Sequence, residues 1–400
     1  MTTNSVTEPS RTDALGTALQ LAAQSTRLSS PNPSVGCVIA SPAGKTLGQG
    51  YTQQAGGPHA EVMALRDAAA RGKSVVGATA YVTLEPCSHF GRTPPCCNAL
   101  IDANIGKVVA ALADPNPLVG GRGFAALRAA GIEVDVLPPD HPDAMAAREL
   151  NIGFFSRMIR KTPWVRMKIA ASLDGKTALN NGVSQWITSE AARADGHAWR
   201  ARASAVLTGI GTVLADDPRL DVRYADAPRQ PHVVVVDSQL QTPPDAKLFS
   251  PPPSSQSATD SIANKSINTL SRFIFIYTNT RDAAKQAALE GSGATVIVLP
   301  DPATTGKVDL AAMLRDLAAR EINELHVEAG PTLNGALIQA GLVDEFLVYL
   351  APKLLGQGRA MADFGPLTAL TEAVALDFTS IEKVGSDLRL LARVRGHDSF

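Results

Sequence analysis

Seven short apolar runs in the second half of the chain limit its fold more than any other feature: WVRMKIAAS, SAVLTG, PHVVVVD, FIFIYT, TVIVLP, ELHVEAG and DEFLVYLAP. Runs of this length, rich in Val, Ile, Phe and Leu, read as strands. Their spacing along the chain reads as an α/β alternation. The first half gives a shorter version of the same pattern. RTDALGTALQLAAQST places Leu15, Ala18, Leu19 and Ala22 on one helical face. PNPSVGCVIA is a turn feeding a buried strand, and GGPHAEVMALRDAAARG is expected to begin a helix with Pro58 at its first position and to end at a glycine. A strand from about Ala78 to Leu84, a short helix in PPCCNALIDANIG, a strand at KVVAAL, a helix at GRGFAALRAAG and a strand at IEVDVL complete it. This is the pattern of a three-layer α/β/α sheet closing near residue 150.

Four hundred residues exceed one comfortable core. Two domains are therefore expected, over residues 1–152 and 153–400. Between Gln241 and Arg272 the chain is rich in Pro, Ser and Thr with few large apolar residues, which reads as an exposed loop inserted between two strands. Net charge is −1, from 37 Lys and Arg against 38 Asp and Glu, which argues against a general nucleic-acid or membrane-surface binder. The N-terminal stretch lacks an apolar core or an Arg-rich amphipathic pattern, and no apolar run reaches the length of a membrane span. A cytoplasmic location, with reduced thiols, is the expectation.

Under reducing conditions, cysteines that cluster point to metal rather than to disulfides. All four lie between Cys37 and Cys97, three of them within LEPCSHFGRTPPCC. Cys87 is expected to end a strand, and Cys96 to open a helix after Pro94 and Pro95. A thiolate near a helix N-terminus is favoured by the unpaired N–H groups there. His59 and Glu61 are expected in the first turn of another helix. Two thiolates and one imidazole make three zinc ligands and leave a fourth position for water, the pattern of a catalytic zinc. Glu61, two residues past the histidine, is placed to move a proton from that water to a departing amine. His-x-Glu followed by Pro-Cys and a second Cys is the zinc deaminase pattern, here with eight residues between the cysteines. Cys37, in an apolar strand, reads as a small buried side chain, and Cys97 as a packed neighbour of Cys96. His89 is an alternative ligand to Cys96, but as a loop residue it fits a substrate contact better.

The runs SPNPSVGCV, GGPHAEVMAL, YVTLEPCSHFGRTPPCCNAL and ADPNPLVGGRGFAAL together resemble the deaminase half of the bifunctional riboflavin-biosynthesis deaminase/reductases. Ser30 stands where that family is expected to have His. The resemblance implies a cytidine-deaminase-like domain with one zinc ion on His59, Cys87 and Cys96, and with Glu61 as proton shuttle. It implies a pocket lined by SHFGRTPP, with His89 and Arg92 near base or phosphate and Asn32 holding the pyrimidine.

In the second half, ELHVEAGPTLNGALIQAG runs from a strand into an open helix N-terminus, a cradle suited to phosphate, although a bland strand–turn–helix fits equally well. Arg200, Arg202 and Arg223 flank a Gly-rich turn. SLDGKTA, SQWITS, GTVLADDPRLDVR, VVVDS and VEAGPTLNGALIQAGLVDE with APKLLG resemble the family's reductase half, which has a dihydrofolate-reductase-like fold. By position the resemblance implies NADPH contacting Ala170, Trp186, Thr212, Asp216, Ser238 and the turn Gly330, Pro331, Thr332, Leu333, Asn334, Gly335 and Ala336. It implies substrate contacts at Ser184, Arg200, Leu220, Arg223 and Glu328, with Lys168 and Asp174 as candidate proton donors. The implied partner is a phosphorylated pyrimidine, with no nucleic acid or membrane, and a homo-oligomer is allowed. A deaminase acting on nucleic acid shares the zinc pattern, but the chain has neither a basic surplus nor an aromatic-rich basic stripe. A zinc-stabilised binding module is the other rival, and the intact Glu61 speaks against it.

Overall fold

A computed structural model of the chain describes residues 11–91, 93–117, 119–224, 227–250 and 272–400. Arg92, one of the expected pocket residues, and most of the Pro/Ser-rich insertion lie outside the described residues. The chain divides into two compact units, residues 1–161 with Phe400, and residues 162–399.

The first unit runs α1 (Arg11–Ser25), β1 (Gly36–Ala40), β2 (Thr46–Tyr51), α2 (Ala60–Ala70), β3 (Thr79–Val82), α3 (Cys96–Asp102), β4 (Lys107–Ala110), α4 (Arg122–Ala129), β5 (Glu133–Val136), α5 (Pro142–Leu150) and α6 (Ile152–Arg160). Its sheet has the order β2-β1-β3-β4-β5, antiparallel at β2, β1 and β3 and parallel beyond. Successive side chains of a strand face opposite sides, and β1 shows the consequence. Cys37 and Ile39 pack with Ala60, Ala64, Leu100 and Phe124 of α2, α3 and α4, whereas Val38 packs with Leu15 and Ala18 of α1 and Ala147 of α5. Helices therefore cover both faces, giving the three layers expected. The boundary expected at 152 is corrected to 161. α6 carries Phe154 and Phe155, both buried in the first core, so burial of its apolar face ties it to the first unit.

The second unit runs β6 (Trp164–Ser172), β7 (Lys176–Leu179), α7 (Glu190–Arg202), β8 (Ala205–Gly209), α8 (Ile210–Asp216), β9 (His232–Val236), β10 (Ile274–Thr278), α9 (Ala283–Gly291), β11 (Ala294–Val298), α10 (Leu310–Ala319), β12 (Glu324–Val327), α11 (Pro331–Gln339), β13 (Glu345–Ala351), β14 (Gly358–Ala360), β15 (Leu376–Val384) and β16 (Asp387–Val394). Nine strands form one sheet, β11-β10-β9-β8-β12-β6-β13-β16-β15, while β7 and β14 pair separately. All seven expected strands are present, and they are the ones that run parallel. β15 and β16 add an antiparallel edge. α10 and α11 supply Met313, Leu314, Leu317 and Leu337 to one face. α8 and α9 supply Val213 and Leu289 to the other. The stretch expected as one exposed loop is corrected at its start: Ala246 and Leu248 are buried with Leu240 and Ile276, because a short helical turn at Lys247–Phe249 turns its apolar residues inward.

Under the sheet a buried ion network replaces ordinary core. Arg166 lies among Glu324 and Glu345, which also pair with Arg202 and Arg393. Burial works against the Arg166 charge, but the two carboxylates outweigh it and raise its pKa. Removing one member strands a buried charge, which is far costlier than loss of a surface pair.

Candidate active site

The parallel and antiparallel strands of the first unit place two helix starts side by side. His59 is the N-cap residue of α2, so Pro58 precedes the cap instead of occupying the first helical position; this corrects the expected start. Cys96 opens α3 after the N-cap Pro95, and Cys87 sits in the loop following β3. The three ligand atoms lie within 4.8 Å of one another. His59 Nδ1 is 3.6 Å from Cys87 Sγ and 3.3 Å from Cys96 Sγ. Zinc bonds of about 2.0 Å to nitrogen and about 2.3 Å to sulfur, meeting at a tetrahedral angle, put N and S roughly 3.5 Å apart. Both N–S separations thus match what a single zinc ion would require, with Nδ1 the ring nitrogen turned toward the two sulfurs. The other nitrogen, Nε2, lies 3.5 Å from Thr93 Oγ1.

The electrostatics follow from the crowding. Cys87 is held well below the usual thiol range by the Cys96 thiol first, and by His59; the Cys96 backbone N–H also donates to its sulfur at 3.4 Å. Glu61 is buried in the first turn of α2. Burial raises its pKa, and the Cys87 charge raises it further, while His59 acts the other way. Cys97 faces away, its thiol donating to the carbonyl of Pro86 at 3.2 Å, and burial pushes it up to about 12. Cys37 is fully buried in β1, as expected. His89 is exposed on the loop and is not part of the cluster. Asn32 is half-buried in the turn before β1, where its N–H donates to the Ser29 carbonyl.

Glu85 was not singled out by the sequence, although it lies in the same motif. Its buried carboxylate accepts from the N–H groups of Asp114, Gly121, Gly123 and Phe124, at 2.9–3.3 Å. This fixes the loop before α4 and that helix's N-terminus behind Cys87. A charged residue between apolar Leu84 and Pro86 was the available signal. Asp114, on the same loop, is raised to about 7 by burial, with Glu85 contributing.

In the second unit, β9, β8, β12 and β6 run parallel, so their carboxyl ends share one edge of the sheet, the place where open α/β sheets bind ligands. Ser238 follows β9, Thr212 and Asp216 lie on α8 after β8, Glu328 follows β12, and Ala170 lies near the end of β6. Gly330 caps α11, whose first residues are the expected cradle, and Leu333 lies against Gly209. A Cβ on Gly335 would sit 1.8 Å from the Asp363 carbonyl oxygen, so only glycine fits there. Asn334 donates to the Met361 carbonyl. Trp186 is 62% exposed, with Arg193 stacked on it at 4.4 Å. Ser184, two residues earlier, is half-buried.

Glu328 and Arg200 form a two-pronged pair, Nε to Oε1 at 2.7 Å and Nη2 to Oε2 at 2.8 Å. Burial alone would raise the Glu328 pKa, but Arg200, His326 and Lys168 take it well below the carboxylate range. Arg223 lies 3.4 Å from Asp221, and its N–H donates to Nδ1 of His197. His197, also unforeseen, is lowered to about 3, by burial first and then by Arg200, so it is neutral and donates only from Nε2. Burial lowers Lys168, and Glu328 opposes it. Asp174 does not join this group. Its carboxylate accepts from the Ser172 hydroxyl and from the N–H groups of Leu355 and Gly356, and it staples a loop.

Residues 10–112 match the family described as the cytidine and deoxycytidylate deaminase zinc-binding region, and residues 163–390 match the RibD C-terminal domain. The chain is 43% identical over 387 residues to the riboflavin biosynthesis protein RibD of Escherichia coli K12, covering 93% of this chain and 96% of that protein. Among solved structures it is similar to Acinetobacter baumannii RibD, with 37% identity, a TM-score of 0.80 and coverage of 95% and 97% of the two chains. A Thermotoga maritima diaminohydroxyphosphoribosylaminopyrimidine deaminase/5-amino-6-(5-phosphoribosylamino)uracil reductase is similar at 28% identity, with a TM-score of 0.78 and the same coverage.

Proposed function

The chain belongs to the RibD family of bifunctional riboflavin-biosynthesis deaminase/reductases, and on that premise we propose which residues carry each half-reaction. The deaminase step converts 2,5-diamino-6-(5-phosphoribosylamino)pyrimidin-4-one and water to the corresponding aminouracil and ammonia. The reductase step then converts the ribosyl chain to ribityl. The observation that carries the residue assignment is the His59, Cys87 and Cys96 cluster with buried Glu61 beside it.

His59, Cys87 and Cys96 would hold zinc, which when bound supplies a position where water loses a proton near neutral pH. Glu61 takes that proton and passes it to the ring nitrogen, then takes the second proton of the former water and passes it to the departing amine as ammonia leaves. A carboxyl whose pKa is raised by burial suits both directions of transfer. Asn32, His89 and Arg92 are proposed to orient the pyrimidine and its phosphoribosyl arm.

In the second unit, bound NADPH would supply the hydride. The Gly330–Ala336 turn, with Thr212, Asp216, Ser238, Ala170 and Trp186, is proposed to hold the cofactor. Ser184, Arg200, Leu220, Arg223 and Glu328 are proposed to hold the substrate. Lys168 is the better of the two proton-donor candidates, since Asp174 is engaged on its loop. Domain roles follow the two units at 1–161 and 162–399. The full chain, incubated with the diaminopyrimidine phosphate, should release ammonia without NADPH and yield the ribityl product only with it, as identified by mass. Absence of either product would sink the corresponding half. Among the described residues no helix is long and apolar enough to cross a membrane; a cytoplasmic location belongs to the same proposal.

Self-association is also proposed. Opposite residues of β15, β16 and β13 share faces, which puts Leu376, Phe378 and Ile381 on the same side as Leu388, Leu390 and Val348. Phe378 and Ile381 are 64% and 59% exposed. The acidic residues of β15 lie on the other face, paired with Arg395 and Arg389, so Lys383, opposite Leu388, is the charged β15 residue on the apolar side. Sedimentation should show a dimer that Phe378→Asp with Ile381→Asp dissociates. A dimer that survives the double substitution would exclude this face.

A further inference from the structure

The turn between Arg219 and Arg223 holds a backbone conformation that its sequence does not favour. Leu220 has φ +53°, in the left-handed region that non-glycine residues seldom adopt. Its side chain is buried at 4% exposure, and the next residue, Asp221, is fully buried. Such a conformation persists where surrounding contacts over-determine it, and two arginines make those contacts. Arg200 donates from Nη1 to the Asp221 carbonyl at 2.5 Å. Arg272 donates from Nη2 to the carbonyls of Arg219 and Leu220, at 2.7 and 2.9 Å, and from Nε to the Pro231 carbonyl at 3.2 Å.

One guanidinium therefore ties the turn to the residue that leads into β9. A planar fork can satisfy several carbonyls at fixed angles, and charge-assisted bonds are roughly twice as strong as neutral ones. Burial lowers the Arg272 pKa to about 10, so it remains charged at neutral pH. Rotating the Leu220 peptide out of the left-handed region would break its bond and move Asp221 and Arg223, which follow directly.

We propose that Arg272 is a positioning residue for the reductase: it locks the Arg219–Leu220 turn so that Leu220 and Arg223 face the phosphorylated sugar. It acts through these residues and touches no reacting atom. The inference rests on the reading of Leu220, Arg200 and Arg223 as substrate contacts.

The test uses the full chain carrying Arg272→Ala and Arg272→Lys. With Ala, KM for the phosphorylated aminouracil should rise roughly ten- to a hundredfold, with a much smaller change in kcat, because displaced binding groups are lost rather than chemistry. Ammonia release by the first unit and the affinity for NADPH should be unchanged. Guanidinium ion added at millimolar concentration should lower the KM of the Ala variant, and the Lys variant should lie between Ala and wild type. An unchanged KM, or a raised KM that neither guanidinium nor Lys reduces, overturns the proposal. If Arg272→Ala does not fold, the KM of the Lys variant decides alone: equality with wild type overturns it. A wild-type chain without reductase activity would instead refute the underlying reading of the second unit.

Discussion

Glu61→Gln should cut ammonia release from the diaminopyrimidine phosphate by about 10²–10⁴-fold, the usual worth of a positioned acid–base group. The amide has nearly the same shape as the carboxyl, so packing in the first turn of α2 is kept. What is lost is the ability to accept a proton from water and return it to the substrate. Glu61 is buried, and the Cys87 charge beside it raises its pKa. Both facts make it a stronger base than an exposed carboxylate. Zinc content should be unchanged, because Glu61 is not one of the three clustered ligand atoms. Reduction of a supplied aminouracil substrate should also be unchanged, because that chemistry lies in the other unit. Ammonia assays on wild type and variant, with zinc measured on the same samples, check this; rates within a few-fold of each other would remove the shuttle.

The cluster was legible because its chemistry is local in sequence. His59 and Glu61 are two residues apart, and Cys96 directly follows the prolines that introduce α3. The Arg200–Glu328 pair is the opposite case. Its members are 128 positions apart, and no spacing rule links them; only the parallel order of β8, β12 and β6 brings them together. Their reading as substrate contacts entered through family resemblance.

Strand β2 was missed for a different reason. Gly48 and Gly50 interrupt the apolar pattern of TLGQGY, yet α2 lies so close that a Cβ at Gly48 would meet its atoms at 2.2 Å and one at Gly50 at 2.5 Å. The glycines mark close packing of a helix on a strand. The β15–β16 hairpin escaped because Leu376, Phe378 and Ile381 of its outer strand are exposed and interspersed with polar residues, so no plain core run is visible. Pro58 misled by one step: it stands before the cap, and the residue it introduces, His59, the proposed zinc ligand, is the cap itself.

Cys96→Ala should abolish zinc binding together with deamination, whereas Cys97→Ala should keep both, though the residues are adjacent and chemically identical. The difference is orientation. Neighbours on a helix point about 100° apart, and at the first turn of α3 that rotation decides which thiol meets His59. Cys96 Sγ lies 3.3 Å from His59 Nδ1, while Cys97 Sγ turns to the carbonyls of Pro86 and Gly123. Burial keeps Cys97 a protonated thiol near neutral pH, its pKa pushed up to about 12, and a protonated thiol is a poor zinc ligand. Removing its sulfur leaves a small cavity and should cost roughly 1–2 kcal/mol of stability, visible as a lower unfolding temperature with zinc still bound. Removing Cys96 leaves His59 and Cys87, too few to hold zinc against a chelator. Metal content after dialysis against a mild chelator, read beside ammonia release, separates the two substitutions. Retention of zinc by Cys96→Ala with its loss in Cys97→Ala would mean that α3 begins one residue later in register than its hydrogen bonds place it.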